Sequence, residues 1–350
     1  MLPNDYFHRV HALTPTRFWV NNPTRRQARL ALEAGTVGCT TNPTHAIKMV
    51  RSADDGELAR SIISETIAAG AHSATEAAVL VQRRLVQVLL AEFANRYAET
   101  NGRFGFVSIQ GDPHAEMDPD NIIREALADM QLGANAIAKI PVTEAGLTAI
   151  GDLVGRNVPI IATEIMSMAQ MIAVCEAYQA ASRRTMQQPA FFVTHITGIF
   201  DDHLKHLAAA GQINVSPDSL FQAGTLAARK QLRLMQEREY PGIMLGGGAR
   251  GLHHFTEMVG GAMHVTINWE GTADKLIEQN PPVIKRMQLP ADDAVLDELL
   301  TQVPDFARAY YIDGLQPAEF ADFGPVELFR SQFLKGWDDL LEVIGQQMNQ

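Results

Sequence analysis

Short apolar runs and longer amphipathic segments alternate along most of the chain. The apolar runs are continuous rather than alternating with polar residues, which is typical of strands that are covered on both faces. They predict eight strands, at residues 18–21, 37–41, 104–110, 136–141, 158–163, 190–195, 242–245 and 264–267.

The segments between these runs carry apolar residues at helical spacing. They predict helices at residues 25–34, 57–69, 75–98, 119–131, 143–156, 167–184, 197–210, 217–239 and 252–259. This α/β alternation predicts parallel β/α units, and eight such units close into a (β/α)8 TIM barrel. A doubly wound open sheet is the alternative, but it requires a glycine-rich phosphate loop after the first strand. Asn22-Pro23-Thr24 stands there instead.

Past residue 279 the alternation stops. Prolines interrupt the chain, and acidic segments follow with apolar residues at helical spacing in 320–333 and 337–344. These segments predict a helical extension that packs over the barrel, with one face that could be a homo-oligomer contact or plain surface. We therefore expect three parts, a polar lead-in at 1–16, the barrel at 17–279 and the extension at 280–350.

Composition narrows the possible partners and the location. The 350 residues are 46% hydrophobic and 20% charged, as in an ordinary globular protein, and the net charge of −11 argues against nucleic acid as the main partner. Cys39 and Cys175 are far apart and predict neither a disulfide framework nor a metal site. We find no signal-peptide profile and no apolar run long enough to cross a membrane, so we expect a cytoplasmic protein without a membrane partner.

One lysine, Lys139, lies inside an apolar run and shares a strand face with Ile137 and Pro141. Burying an ammonium group is costly, and desolvation favours the neutral amine. A neutral amine attacks a ketone to form a Schiff base. A snorkelling or ion-paired lysine is the alternative.

Polar residues gather where the predicted strands end, which is where barrel enzymes carry their chemistry. Amides and hydroxyls at these positions suit a carbonyl substrate with several hydroxyl groups, and Arg250 suits an acidic group on that substrate. The candidates are Asn21, Thr41, Asn42, Gln110, Lys139, Thr163, Phe192, His195, Gly248 and Arg250.

Several motifs together resemble the transaldolase family in order and spacing. They are Thr40-Thr-Asn-Pro-Thr44, Lys139-Ile-Pro-Val-Thr143, Ser167-Met-Ala-Gln170 and Phe192-Val193. The resemblance implies a (β/α)8 barrel that works without metal or cofactor, with Lys139 forming a Schiff base with a ketose. It also implies a bound dihydroxyacetone unit, which transaldolases pass to an aldehyde and the related fructose-6-phosphate aldolases release.

Some positions depart from the family pattern. Asn21 stands where the family has a proton-transferring aspartate, and Gln110 replaces a glutamate, as in the aldolase branch. Thr163 matches the threonine that holds a catalytic water, and Phe192 resembles the transaldolase branch. In the phosphate site, His195 replaces an arginine and Gly248 a serine, while Arg250 is kept. The substrate's distal group is therefore expected to be held differently, or to be a sugar acid, a sulfonate or a neutral sugar.

An amide cannot take a proton at neutral pH, so another group must replace the aspartate. General acid–base catalysis is worth ~10²–10⁴-fold in rate. The candidates are His195, His45 and Glu164, although strand alternation predicts that Glu164 points away from the site. We expect His253 and His254 on a helix surface. The methionines Met166, Met168 and Met171 are expected in the core.

These observations predict a transaldolase-like enzyme that acts through Lys139 on a sugar or sugar phosphate. One alternative is an aldolase or lyase that uses the same imine on a modified or non-phosphorylated sugar. Another is a catalytically weak paralogue that binds a sugar phosphate or serves as an interaction protein, which Asn21 favours. Retention of Lys139 and Thr163 argues against it, because a buried lysine without a function is costly.

Overall fold

A computed structural model describes residues 5–349 of the chain as a closed barrel of eight parallel strands. The strands pair in sequence order, and β1 pairs with β8 to close the barrel. The predicted (β/α)8 barrel is confirmed. The strands are β1 (Arg17–Asn21), β2 (Gly38–Thr40), β3 (Phe106–Gln110), β4 (Ala136–Pro141), β5 (Ile160–Ile165), β6 (Phe191–Ile196), β7 (Ile243–Gly247) and β8 (His264–Asn268).

Helices follow the strands and cover the outside of the barrel. The sequence pattern found most of them, but it missed the short helix α3, which has only seven residues. Up to β8 the helices are α1 (Tyr6–Leu13), α2 (Arg25–Glu33), α3 (His45–Arg51), α4 (Gly56–Ala68), α5 (Ala74–Glu99), α6 (Pro119–Asp129), α7 (Glu144–Gly155), α8 (Met168–Thr185), α9 (Thr197–Ala209), α10 (Pro217–Glu237) and α11 (His253–Thr256).

The segment predicted as a polar lead-in contains helix α1 in its described part. Asp5 caps this helix, and the Phe7 ring stacks on Phe18 with ring centroids 4.1 Å apart. The helix therefore buries apolar surface against the outer face of β1. Residues 1–4 of the predicted lead-in lie outside the described residues.

Large side chains fill the inside of the barrel below its carboxyl end. Phe192 belongs to this layer, and its ring meets Trp19 edge-on at 5.2 Å. The other members are Val37, Phe106, Ile137, Ile161 and Leu245. The barrel is thus solid in its lower part, as expected for this fold, and its open space lies toward the mouth.

The C-terminal extension packs across the mouth. Helices α12 (Asp274–Gln279), α13 (Asp293–Gln302) and α14 (Pro304–Tyr310) lead to the long helix α15 (Gly324–Met348). The pattern predicted two segments here, but α15 is continuous. Its Trp337 is fully buried against the helices between β2 and β3. Across residues 5–349, no helix combines the length and the apolar character that crossing a bilayer would require.

Candidate active site

Lys139 points into the barrel from β4, and only 7% of it is exposed. Its Nζ donates a hydrogen bond to the carbonyl of Thr41 over 3.3 Å. Thr41 is itself fixed, because its hydroxyl donates to the carbonyl of Ser108 over 2.6 Å. Burial lowers the pKa of Lys139 to about 8, opposed in part by the negative charge of Glu164. Some of this lysine is therefore free amine at neutral pH, and most of it is free amine at mildly alkaline pH.

A cavity of about 270 Å³ lies above Lys139 at the mouth of the barrel. Strand ends form its walls, and Phe329, Gln332 and Phe333 of helix α15 contribute to its cover. Its other lining residues are Asn21, Asn22, Thr40, Asn42, Thr44, Lys48, Thr194, Ile196, Leu245, Gly247, Gly248, Arg250, Thr266 and Asn268.

One wall of this cavity is a network of neutral amides and hydroxyls. Asn21 donates from its amide to Asn268 over 2.9 Å and accepts from the Thr40 hydroxyl over 2.9 Å. The hydroxyls of Thr40 and Thr266 lie 2.6 Å apart. Asn21 therefore lies at the mouth as predicted, but its wall of strand residues offers hydrogen bonds rather than proton transfer.

Beside this wall, Asn22 and Asn42 join the loops that follow β1 and β2. The Asn22 amide donates to Asn42 over 3.0 Å, and the Asn42 backbone N–H donates back to Asn22 over 3.1 Å. Asn22 adopts a left-handed conformation with φ of 44°. Its carbonyl accepts a 2.6 Å hydrogen bond from Lys48 Nζ, so this lysine is held at the cavity.

Glu164 faces the barrel interior, and the expectation that it points away was wrong. The register of β5 against β6 skips between Ala162 and Ile165, which marks a β-bulge. Glu164 sits in this bulge with φ of 62° and is fully buried. Its Oε1 accepts a hydrogen bond from the Gln110 amide over 2.9 Å. Strand alternation fails here because the bulge adds one residue to the inner face.

The side chain of Gln170 holds this bulge in place. Its amide nitrogen donates to the carbonyls of Val142 and Glu164, both over 3.0 Å. Its amide oxygen accepts from the backbone N–H of Met166 over 2.9 Å. Gln170 belongs to the Ser167–Gln170 motif, so the motif was visible in the sequence although its effect on Glu164 was not.

The surroundings of Glu164 favour its protonated form. Burial raises the pKa of Glu164 to about 7, although the hydrogen bond from Gln110 and the charges of Lys139 and Arg330 act to lower it. Burial and the charge of Glu164 also raise the pKa of Glu116 to about 9. Glu116 forms a 2.5 Å ion pair with Arg330 of helix α15, so the extension brings a positive charge to this side of the barrel.

Three polar atoms near Lys139 are buried without a hydrogen-bond partner among residues 5–349. They are Glu164 Oε2, Gln110 Oε1 and Thr163 Oγ1. Buried polar groups are nearly always hydrogen-bonded in native proteins. These atoms are thus suited to a substrate hydroxyl or to a catalytic water.

His195 and His45 point away from the cavity, which does not fit the predicted acid–base role of either. His195 bonds the side chain of Gln231 over 3.0 Å and the carbonyl of Gly224 over 3.3 Å, both on α10. His45 bonds the carbonyl of Pro23 over 3.3 Å. Burial lowers the pKa of each histidine to about 4, so both are neutral at physiological pH.

Arg250 lies at the cavity rim, but its charge is already paired. Its Nε donates to Asp202 over 2.8 Å, and its Nη2 donates to Gln332 of α15 over 3.1 Å. Gly248 lies in the same loop with φ of +68°, where a Cβ atom would come within 2.6 Å of Ile196. A serine at this position would therefore be strained and crowded.

The expectation that His254 lies on a helix surface was wrong. It is buried and bonds Asp201 over 2.8 Å, and its other ring nitrogen accepts from the backbone N–H of Arg250 over 2.8 Å. His253, Asp201 and His254 place ligand atoms within 4.8 Å of one another. Both nitrogens of His254 are already hydrogen-bonded, so neither is free to bind a metal ion. The cluster instead fixes the loop that carries Arg250. Met166, Met168 and Met171 are buried in the core as predicted.

The structure thus brings only part of the predicted set together. Asn21, Asn42, Lys139, Gly248 and Arg250 line the cavity, while Gln110 and Thr163 lie with the buried group around Glu164. Thr41 supports Lys139 from its main chain, and Phe192 lies in the core layer below. Polar cavity residues that sequence reasoning missed include Lys48, Thr266 and Asn268, whereas Thr194 belongs to the strand end at 192–195 that it did identify.

Comparison with known proteins agrees with this geometry. The family model for transaldolase/fructose-6-phosphate aldolase matches residues 18–315. The transaldolase of Thermobifida fusca (strain YX) is 23% identical over 362 aligned positions, which cover 94% of this chain and 95% of that protein. The transaldolase of Mycolicibacterium paratuberculosis is 30% identical over 208 positions, covering 53% of this chain and 54% of that protein.

A third relative, transaldolase 1 of Streptomyces avermitilis, is 29% identical over 211 positions. This alignment covers 55% of the chain and 54% of that relative, so it spans about half of each. The family match over residues 18–315 and the alignment with the Thermobifida protein extend over most of the chain. The chain belongs to the transaldolase/fructose-6-phosphate aldolase family and is an enzyme of the transaldolase type.

Proposed function

We propose that Lys139 forms a Schiff base with a ketose and that the enzyme transfers a dihydroxyacetone-type three-carbon unit to an aldehyde acceptor. The observation that carries this proposal is the buried Lys139 amine at the base of a cavity walled by amides and hydroxyls. Its pKa of about 8 leaves free amine available near neutral pH. Family membership supports the same chemistry.

In this proposal Lys139 Nζ attacks the ketose carbonyl, and the resulting carbinolamine loses water to give an iminium ion. The iminium withdraws electrons as the carbon–carbon bond one carbon away breaks, which leaves an enamine on Lys139. The Thr41 carbonyl holds Nζ in position before attack. Thr163 and Gln110 would hold the water, because each has a buried oxygen without a partner among residues 5–349.

The hydroxyl groups of the sugar would bind to the neutral wall. Asn21 and Asn268 supply amides there, Thr40 and Thr266 supply hydroxyls, and Asn42 adds an amide beside the wall. Phe192 would support the floor through its contact with Trp19, without touching polar groups of the sugar. This division assigns substrate binding to the wall and bond chemistry to the side of Lys139.

A sugar phosphate is the substrate class that we propose, with its anionic group at Lys48. Lys48 lines the cavity and forms no ion pair within residues 5–349, whereas Arg250 is paired with Asp202. A phosphate would form a stronger charge-assisted hydrogen bond with Lys48 than with Arg250, because the charge of Arg250 is already balanced by Asp202. Lys48 also lines an adjoining groove of about 880 Å³, which leaves room for a longer distal end.

Aldol cleavage without transfer is the second candidate, and Gln110 favours it because the aldolase branch resembles this chain there. Incubation with fructose 6-phosphate, with and without glyceraldehyde or another aldehyde acceptor, tests both. We expect a new ketose only when the acceptor is present. Release of dihydroxyacetone without an acceptor would support the lyase. No consumption of any ketose by folded protein would overturn the proposal in favour of a binding role.

A further inference from the structure

In the described part of the barrel, Lys139 and Glu164 are the two ionisable side chains that the strands turn inward near the carboxyl end; Lys139 lines the cavity, and Glu164 is buried beside it, bonded to Gln110. The other mouth-facing positions are amides, hydroxyls, glycine and apolar residues. His195 is turned outward, and Asn21 replaces a carboxylate that could have moved protons. Bond cleavage through an imine requires a group that gives and takes protons.

We propose that Glu164 is the catalytic acid and base of this site, at a strand position where nothing in the resemblance places such a group. This inference rests on the proposed Schiff-base function of Lys139. The geometry supports it in three ways: the bulge turns Glu164 inward, Gln110 fixes one carboxyl oxygen, and the other oxygen is buried without a partner among residues 5–349.

The proton balance closes with this single residue. Protonated Glu164 gives its proton to the carbinolamine hydroxyl, which leaves as water while the iminium forms. The carboxylate then takes the proton of the hydroxyl on the carbon that will become the aldehyde, as the carbon–carbon bond breaks and its electron pair forms the enamine. After an acceptor aldehyde adds, Glu164 returns this proton to the new alkoxide. In hydrolysis it takes a proton from the attacking water and gives it to the Lys139 nitrogen as the carbon–nitrogen bond breaks. It then takes the proton of the carbinolamine hydroxyl as the ketone forms, which restores the protonated acid.

The structure maintains the unusual backbone that this role needs. A left-handed conformation is strained for a residue other than glycine, and such strain persists where surrounding contacts enforce it. Gln170 enforces it through two hydrogen bonds to backbone carbonyls, one of them that of Glu164 itself. A buried carboxylate held in a strained bulge next to a reactive lysine has no evident structural purpose.

The second carboxylate, Glu116, adjusts the charge of the first. Its negative form would oppose ionisation of Glu164, whereas Arg330 on α15 favours it. Glu116 lies 2.5 Å from Arg330, and its own raised pKa of about 9 leaves it mostly protonated near neutral pH, so there the charge of Arg330 is the influence that acts on Glu164. They are positioning residues in this account, because they act on Glu164 and not on the substrate.

The test is Glu164→Gln, which keeps the size of the side chain and can still accept from Gln110. We expect kcat for ketol transfer to fall by ~10²–10⁴-fold, with an unchanged circular dichroism spectrum. The matched control is Glu125→Gln on α6, a partly buried carboxyl whose pKa burial also raises, which should stay within a few-fold of wild type. Activity of Glu164→Gln within a few-fold of wild type would overturn the inference.

A second variant keeps the carboxyl group and reports on its pKa. Gln110→Leu removes the hydrogen bond that lowers the pKa of Glu164, so the limb of the pH–rate profile due to this group should move to higher pH. An unmoved limb would contradict the role of Glu164. Borohydride trapping distinguishes failure of the two proposals. If the wild-type protein gives no adduct, the proposed Schiff-base function is wrong. If it gives an adduct and Glu164→Gln is fully active, only the role of Glu164 is wrong.

Discussion

The two sides of the barrel mouth differ in the chemistry that they offer. On the side of strands β3 to β5, Lys139 and Glu164 are both buried and both have a pKa shifted toward neutrality. On the side of β8, β1 and β2, Asn21, Thr40 and Asn268 form a neutral hydrogen-bond network. One side can exchange protons and form covalent bonds, while the other can only bind.

Under the proposed roles, this difference accounts for proton transfer in a barrel that has Asn21 where the family has an aspartate. The function of a barrel site depends on which group reaches the mouth, not on which strand supplies it. A carboxylate beside the imine can serve from β5 if the backbone turns it inward. The bulge at Glu164 provides that turn, and Asn21 is then free to act as a neutral sugar ligand.

Moving the carboxylate across the mouth tests this division most severely. The double variant Asn21→Asp with Glu164→Gln restores the acid to β1 while removing it from β5. We expect kcat to stay ~10²-fold or more below wild type, because the wall around position 21 is arranged for an amide that donates to Asn268, and a carboxylate there has no proton to donate. Steady-state transfer assays measure this. Recovery to within a few-fold of wild type would show that the two sides are interchangeable.

A smaller effect is expected at Lys48, on the binding side. Lys48→Met should raise KM for a phosphorylated ketose by roughly 10–100-fold, the value of one charge-assisted hydrogen bond, with little change in kcat. KM for the same ketose without phosphate should not change. Lys335→Met, which changes an exposed lysine in the adjoining groove, is the control. Equal effects on both sugars would indicate that Lys48 only supports the Asn22 loop.

The smallest effect concerns stability. Because the pKa of Glu164 is raised to about 7, the folded protein holds this proton where the unfolded chain has released it. The folded protein therefore has its full stability, as far as Glu164 is concerned, below pH ~4.5, where both states are protonated. It loses this stability as pH rises through about 7, where the buried carboxyl must ionise. Glu164→Gln should therefore gain about 1–3 kcal/mol in free energy of unfolding relative to wild type between pH 5 and 8. Urea unfolding measures it, with exposed Glu99→Gln as control. A pH-independent difference would contradict the burial argument.

The sequence could predict the barrel because strand and helix periods differ and strand segments recur between helical ones along the whole barrel. It could also predict Lys139, since a charged residue in an apolar run is visible in one chain. Alternation along β6 even predicts that Phe192 and His195 lie on opposite faces, so they could not both reach the cavity. Glu164 was beyond such rules, because its bulge depends on Gln170 and on the register of neighbouring strands.

The central claim is the imine on Lys139, and borohydride trapping tests it most directly. The protein would be incubated with fructose 6-phosphate, reduced with borohydride and digested, and the added mass located by peptide mass spectrometry. We predict an adduct on Lys139, and none on the Lys139→Met variant under the same conditions. A folded wild-type protein that gives no adduct with this ketose or with its non-phosphorylated counterpart, or an adduct on another lysine, would contradict the account.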